Sequence, residues 1–171
     1  QTYSFYPAKV LGCYGDGGAI TTDNKKIADK IKILRDHGRK TKHETICVGY
    51  NSRLDNLQAA ILNVKMKYLP DLIKRRNEIA ELYHYGLPEI DSQDSKTYQE
   101  YNIQVPYRDK LYEFLKKKGI ECLKGDYTFP TPQPPRTKLA NKQVLRLPIC
   151  PTLTDKEIGY IIKQINKFYA I

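Results

Sequence analysis

Pro70 falls inside an otherwise continuous helical pattern, and this constrains the chain more than any other residue. Upstream, Leu54, Leu57, Ile61 and Val64 recur at helical spacing from a start near Arg53; downstream, Leu72, Ile79 and Leu82 resume that spacing as far as Tyr85. A proline there removes a helical hydrogen bond and crowds the preceding turn, so the passage is predicted to break or kink at it. Gly86-Leu87-Pro88 stops the second half, and from Tyr98 the pattern changes to alternation, with Tyr101, Ile103 and Val105 on one face of a half-buried strand. A helical passage between two differently patterned stretches predicts a bridge between domains.

Before the bridge, Thr2 to Tyr6 is aromatic and strand-like, Gly15-Asp16-Gly17-Gly18 marks a tight turn, and Ala19 to Thr22 is β-prone. Asp23 is placed to cap a helix that carries Ile27, Ile31 and Leu34 and runs to about His37, with Gly38 as its stop. Arg39 to Cys47 lacks periodicity and reads as a basic loop. After the bridge, Asp91 to Lys96 reads as a polar connector. A helix over 110–118 is predicted behind Asp109, with Leu111, Phe114 and Leu115 inward, and a short strand over Ile120 to Leu123. Pro130, Pro132, Pro134 and Pro135 predict an extended loop, since proline breaks helices and central strands. Val144 to Ile149 is β-like, and Thr154 to Glu157 forms a capping box ahead of Ile158, Ile161, Ile162, Ile165 and Phe168. Strands alternating with helices predict an α/β class.

The 29 lysines and arginines exceed the 19 acids, a balance of +10 that fits nucleic acid, a membrane surface or a phosphorylated substrate. The lysines are spread along the chain, as on solvated helix faces, and no aromatic strand with interleaved basic residues points to nucleic acid. No apolar run is long enough for a membrane span, and no secretory leader is evident, so a cytoplasmic setting is expected. Cys13, Cys47, Cys122 and Cys150 are far apart, predict no metal site, and read as buried thiols.

Lys9 stands alone in a nearly charge-free stretch from Gln1 to Tyr14. A lysine enclosed by apolar groups loses proton affinity, and a neutral amine is the nucleophile that forms a Schiff base with a carbonyl. The run Ser4-Phe5-Tyr6-Pro7-Ala8-Lys9-Val10-Leu11-Gly12-Cys13-Tyr14-Gly15-Asp16-Gly17-Gly18 resembles the Schiff-base segment of the nucleotide-sugar aminotransferases, the DegT/StrS family of pyridoxal-phosphate enzymes. Arg35-Asp36-His37-Gly38, Gly49-Tyr50-Asn51-Ser52-Arg53-Leu54-Asp55, Gln58-Ala59-Ala60, and Leu147-Pro148 with Pro151, Leu153 and Thr154 follow in the family's order.

The resemblance implies the C-terminal part of a pyridoxal-phosphate transferase fold: the end of the cofactor domain over residues 1–69 and a small α/β domain over residues 70–171. It implies transfer of an amino group from glutamate to a nucleotide-linked keto-sugar, for surface-polysaccharide or natural-product sugars. Lys9 matches the lysine that holds pyridoxal 5'-phosphate covalently and shuttles a proton, and Ser4 matches a hydroxyl on the cofactor phosphate. Asn51 matches an asparagine that reaches the neighbouring subunit's cofactor, so a homodimer with a composite site is expected. In the basic loop, Arg39 and His43 are candidates for the nucleotide's phosphates, because a guanidinium pairs with phosphate oxygens. No metal is expected. Relatives carry half of the cofactor domain ahead of the lysine, so the chain is expected to be a fragment that binds cofactor poorly alone. Many relatives also carry a His-Tyr-Pro element where this chain reads Leu123-Lys124-Gly125-Asp126-Tyr127-Thr128-Phe129-Pro130. Two alternatives remain: a non-catalytic basic regulatory or interaction module, and a sugar dehydratase of the same fold, which would carry histidine where Lys9 stands.

Overall fold

The helical passage breaks just ahead of Pro70. One helix ends at Met66 and the next begins at Leu69, so Pro70 occupies a first turn, where its missing N–H would have had no helical acceptor. The computed structural model describes residues 1–92, 94–125 and 132–170. The chain divides into two compact units, Gln1–Leu69 and Pro70–Ile171.

In the first unit, β1 (Thr2–Ser4) pairs antiparallel with β2 (Gly18–Ile20), Thr2 opposite Ile20. Helix α1 (Lys25–Leu34) is capped by Asn24 rather than Asp23: Asn24 Oδ1 accepts from the N–H groups of Lys26 and Ile27. It stops before His37, because His37 and Gly38 both adopt left-handed angles, φ 59° and 72°. They turn the chain into a hairpin, β3 (Arg39–Thr41) with β4 (Glu44–Thr45), where a loop was expected. Both strands are polar and largely exposed, so no alternation of burial marks them in the sequence.

Helix α2 (Asn56–Met66) follows with Asp55 at its cap position. The expected stripe is met in part: Leu54 and Ile61 are half-buried, but Leu57 is 70% and Val64 57% exposed, whereas Leu62 is buried and Gln58 and Lys65 are half-buried. Likewise α1 buries none of its residues fully. Among the described residues this unit contains only two-stranded sheets, too narrow to cover a helix's apolar face.

The second unit has a core of its own. An antiparallel sheet runs β5-β6-β8-β7, with β5 Asp91–Ser92, β6 Tyr101–Gln104, β7 Leu123–Lys124 and β8 Val144–Leu147. In register, Tyr101 lies opposite Leu147 and Ile103 opposite Leu145, which puts these four on one face. That face packs with Ile79 and Tyr83 of α3 (Leu69–Gly86), Leu111 and Leu115 of α4 (Arg108–Lys117), and Ile158, Ile161 and Ile165 of α6 (Asp155–Tyr169). The capping box forms as read, and Arg75 joins α3 to that end of α6, through the Leu153 carbonyl at 2.6 Å and Asp155 at 2.7 Å.

Several expectations need correction here. The polar connector contributes β5. The cap position of α4 is Tyr107, at φ 54°, while Asp109 lies inside the helix and pairs with Arg108 at 2.9 Å. The short strand starts at Leu123, not Ile120. The proline run supplies a helix start: Pro134 caps α5 (Pro135–Gln143), and Pro135 takes the first position, which suits its fixed φ. Pro130 lies outside the described residues. Of the cysteines, Cys13 and Cys122 are buried, but Cys47 and Cys150 are exposed.

Burial sets an alkaline limit on this second unit. It pushes the Cys122 thiol from 9.0 up to about 12 and the Tyr169 phenol from 10.0 up to about 12, and it raises Tyr83 strongly. Above their ordinary values the unfolded chain loses protons that the folded chain keeps. The stability these groups contribute is therefore fully present below pH 9 and declines as pH rises toward 12. The melting midpoint should fall through that window, and Tyr83→Phe should flatten the decline.

Candidate functional site

The segment between β1 and β2 closes on itself. At its neck the Phe5 N–H donates to the Gly17 carbonyl and the Cys13 N–H to the Phe5 carbonyl, each at 2.8 Å. The buried Cys13 thiol adds contacts to the Phe5 carbonyl at 2.9 Å and the Gly15 carbonyl at 3.0 Å, so the loop folds around this sulfur. Within it lies a tighter turn over residues 6–12: a Cβ on Gly12 would meet the Tyr6 and Pro7 carbonyls at 2.6 Å, so only glycine fits. Gly18 is likewise required by close approach, since a Cβ there would lie 2.8 Å from the Tyr3 carbonyl.

Lys9 sits at the tip of that inner turn, its N–H donating to the Tyr6 carbonyl at 2.8 Å. Its side chain is exposed, not enclosed by apolar neighbours as the sequence suggested. The reason is geometric: closure at Gly12 projects the tip outward, while Val10 and Leu11, half-buried, turn back toward the loop. Ser4, the last residue of β1, is also exposed, and its Oγ accepts from the Tyr6 N–H at 3.3 Å. Its hydroxyl proton is then directed elsewhere.

Asn51 is held by its backbone. An isolated antiparallel bridge joins it to Asp36; the Tyr50 N–H donates to the Leu34 carbonyl at 2.7 Å and the Ser52 N–H to the Arg35 carbonyl at 2.9 Å. Asp36 also binds Arg39 at 2.7 Å and Arg53 at 3.2 Å. The hydrogen bond from Arg39 holds the Asp36 carboxyl below the ordinary carboxylate range. Arg39 therefore braces the base of the β-hairpin, with a further bond from Nε to the Asp36 carbonyl at 3.3 Å. His43 occupies the exposed turn of that hairpin. Arg35-Asp36-His37-Gly38 and Asn51-Ser52-Arg53 stood out in the sequence, but the ion pair of Arg53 with Asp36 that joins them goes with the backbone bridge and has no local signal.

A concave surface of about 1040 Å³ in the first unit is lined by Asp16, Gly17, Arg35, Asn51 and Arg53, among others. Lys9, Ser4, Arg39 and His43 do not line it. Lys9 and Ser4 thus belong to one loop and Asn51 to another wall. The donor set on that loop fits pyridoxal phosphate chemically, with a primary amine for its carbonyl carbon and a hydroxyl for its phosphate. Among the described residues no group of His, Cys, Asp and Glu could hold a metal, and no helix is long and apolar enough to cross a membrane. The segment around Tyr127, where relatives carry their His-Tyr-Pro element, lies outside the described residues.

Two residues that the sequence reading left without a role contact the lysine loop. Gln58 Oε1 accepts from the Tyr14 N–H at 2.7 Å, and Lys65 Nζ donates to the Gly12 carbonyl and lies 5.3 Å from the Tyr14 ring centroid.

The chain is 36% identical over 194 residues to a pleiotropic regulatory protein of Geobacillus stearothermophilus, covering 98% of this chain and 51% of that protein. It is 35% identical over 180 residues to the UDP-2-acetamido-2-deoxy-3-oxo-D-glucuronate aminotransferase of Pseudomonas aeruginosa, covering 95% and 50%. A solved DegT DnrJ EryC1 StrS aminotransferase from Brucella abortus superposes with a TM-score of 0.90 at 30% identity, over 99% of this chain and 51% of that one. The chain thus spans about half the length of the relatives it matches. The family model covers residues 1–166, and on that match the chain belongs to the DegT/DnrJ/EryC1/StrS aminotransferase family.

Proposed function

We propose that the whole protein is a cytoplasmic aminotransferase that moves an amino group from glutamate to a nucleotide-linked keto-sugar, in a homodimer whose active sites draw on both subunits. The observation that carries this is the exposed Lys9 amine at the tip of a hydrogen-bonded loop, inside the family's lysine motif. The family depends on pyridoxal phosphate, which when bound supplies an aldehyde for an amine and a ring that withdraws electrons from the substrate's α-carbon. Residues 1–69 would then be the end of the cofactor domain and residues 70–171 the small domain.

Lys9 Nζ would hold the cofactor when neutral and, once displaced by the amino donor, would take the proton from the donor's α-carbon and hand it across to the cofactor on the same face. Ser4 Oγ, already accepting from Tyr6, would have its proton free to donate to a phosphate oxygen. Asn51 would serve the neighbouring subunit's cofactor, a role in keeping with its place on a cavity wall that Lys9 does not line. His43, at the hairpin turn, and Arg39, at its base, face the nucleotide's phosphates, with Arg39 stiffened by Asp36. Lysine at position 9 disfavours the dehydratase reading.

The name of the Geobacillus relative favours a second reading, a regulatory module without catalysis. Borohydride reduction of the full-length protein with pyridoxal phosphate separates the two. The enzyme reading requires a pyridoxyl label on the Lys9 peptide; an unlabelled peptide would refute it.

A further inference from the structure

The face that α2 turns inward carries polar as well as apolar groups, Gln58 and Lys65 beside Ala59, Ile61 and Leu62. Gln58, Leu62 and Lys65 follow one another at i, i+4 and i+7, a single helical face, while Leu57 and Val64 point outward. The inward polar groups act on one target, the loop that carries Lys9. Gln58 accepts from the Tyr14 N–H at 2.7 Å, and Lys65 donates to the Gly12 carbonyl. Lys65 also places its ammonium 5.3 Å from the Tyr14 ring centroid, an attractive cation–π geometry.

We propose that Gln58 and Lys65 are positioning residues that set where the Lys9 amine lies, through two tethers from one helix face to the loop. The proposal rests on the reading of Lys9 as the amine that attaches the cofactor. The two side chains stem from helix positions about 10 Å apart along the axis, so together they fix both the height and the tilt of the loop segment they hold. Lys65 acts at Gly12, the residue that closes the inner turn against the Tyr6 and Pro7 carbonyls, with Lys9 at its tip. The hydrogen bonds of Phe5 and Cys13 secure the neck of the loop, and neither reaches helix α2. Removing a tether therefore leaves the neck closed and lets the inner turn pivot. A misplacement of about 1 Å costs up to roughly 10²-fold in rate.

The test uses the full-length enzyme with pyridoxal phosphate, and compares Gln58→Met and Lys65→Met, which delete the polar ends, with Gln58→Glu and Lys65→Arg, which keep an acceptor and a donor. The methionine variants should lower kcat by about 10- to 10²-fold while KM for the sugar stays within about twofold. The conservative variants should retain most of the rate. A readout independent of turnover is competitive acetylation of the cofactor-free enzyme by acetic anhydride, with the exposed Lys163 of the second unit as internal reference. The Lys9-to-Lys163 ratio should shift about threefold or more in the methionine variants and stay at the wild-type value in the conservative ones.

Wild-type enzyme without a pyridoxyl label on Lys9 overturns the functional reading and this proposal together. Labelled wild type, with kcat and Lys9 reactivity unchanged in the methionine variants, overturns the positioning role alone. Equal losses in the conservative variants overturn it as well, because those keep the bonds. The methionine variants are scored separately, and failure of both to fold assigns the two residues a structural role and overturns the positioning one.

Discussion

Replacing Lys9 by alanine in the full-length enzyme should abolish transamination, with turnover down by roughly 10²- to 10⁴-fold or more, and leave the melting midpoint unchanged. The two halves of that expectation have separate causes. On the role proposed for Lys9, turnover falls because one amine would serve both as the point of attachment and as the proton carrier, and no other lysine occupies the tip of the loop. Stability is untouched because the Lys9 side chain is exposed and only its backbone N–H is used, donating to the Tyr6 carbonyl at 2.8 Å. Alanine keeps that bond. A small primary amine added to the assay should restore part of the proton-transfer rate, since an exposed tip leaves room for it. A mutant that turns over at the wild-type rate would remove Lys9 from the mechanism, and a mutant that melts early would mean that the side chain packs somewhere.

Tyr83→Ala should be the most damaging single change to the fold, at about 3–5 kcal/mol of unfolding free energy by analogy with other buried aromatic truncations. Tyr83 is fully buried on α3, its ring centroid lies 5.0 Å from that of Tyr101 on β6, and its hydroxyl donates to the Pro148 carbonyl at 2.8 Å just beyond β8. One side chain thus joins a helix to two strands. Tyr83→Phe keeps the ring and loses only the hydrogen bond, at a cost of about 1 kcal/mol. Urea titration followed by circular dichroism should resolve the two. A Phe variant as unstable as the Ala variant would shift the weight from ring packing to the hydroxyl.

The second unit was readable from sequence because its elements bury one face and solvate the other. Tyr101, Ile103 and Val105 alternate and are all buried; the capping box of α6 is local chemistry and forms as written. Helix α5 escaped because a proline cluster argues against helix everywhere except at a start. The first unit misled where burial did not follow apolarity. The hairpin β3–β4 has no apolar face, and α2 turns Gln58 and Lys65 inward beside Ile61 and Leu62 while Leu57 and Val64 face out.

By itself the sequence determined the loop's motif: a lysine five residues after Ser4, ahead of a glycine turn, within the stretch that the family model matches. Tertiary structure decided what that loop is made to do. The outward projection of Lys9 follows from Gly12 closing on Tyr6 and Pro7. The pairing of Arg53 with Asp36 follows from the bridge between Asp36 and Asn51, and the hold of α2 on the loop follows from Gln58 and Lys65 meeting Tyr14 and Gly12. Each joins groups that are distant in sequence or set by backbone direction, and such contacts are specified only when the whole unit has packed.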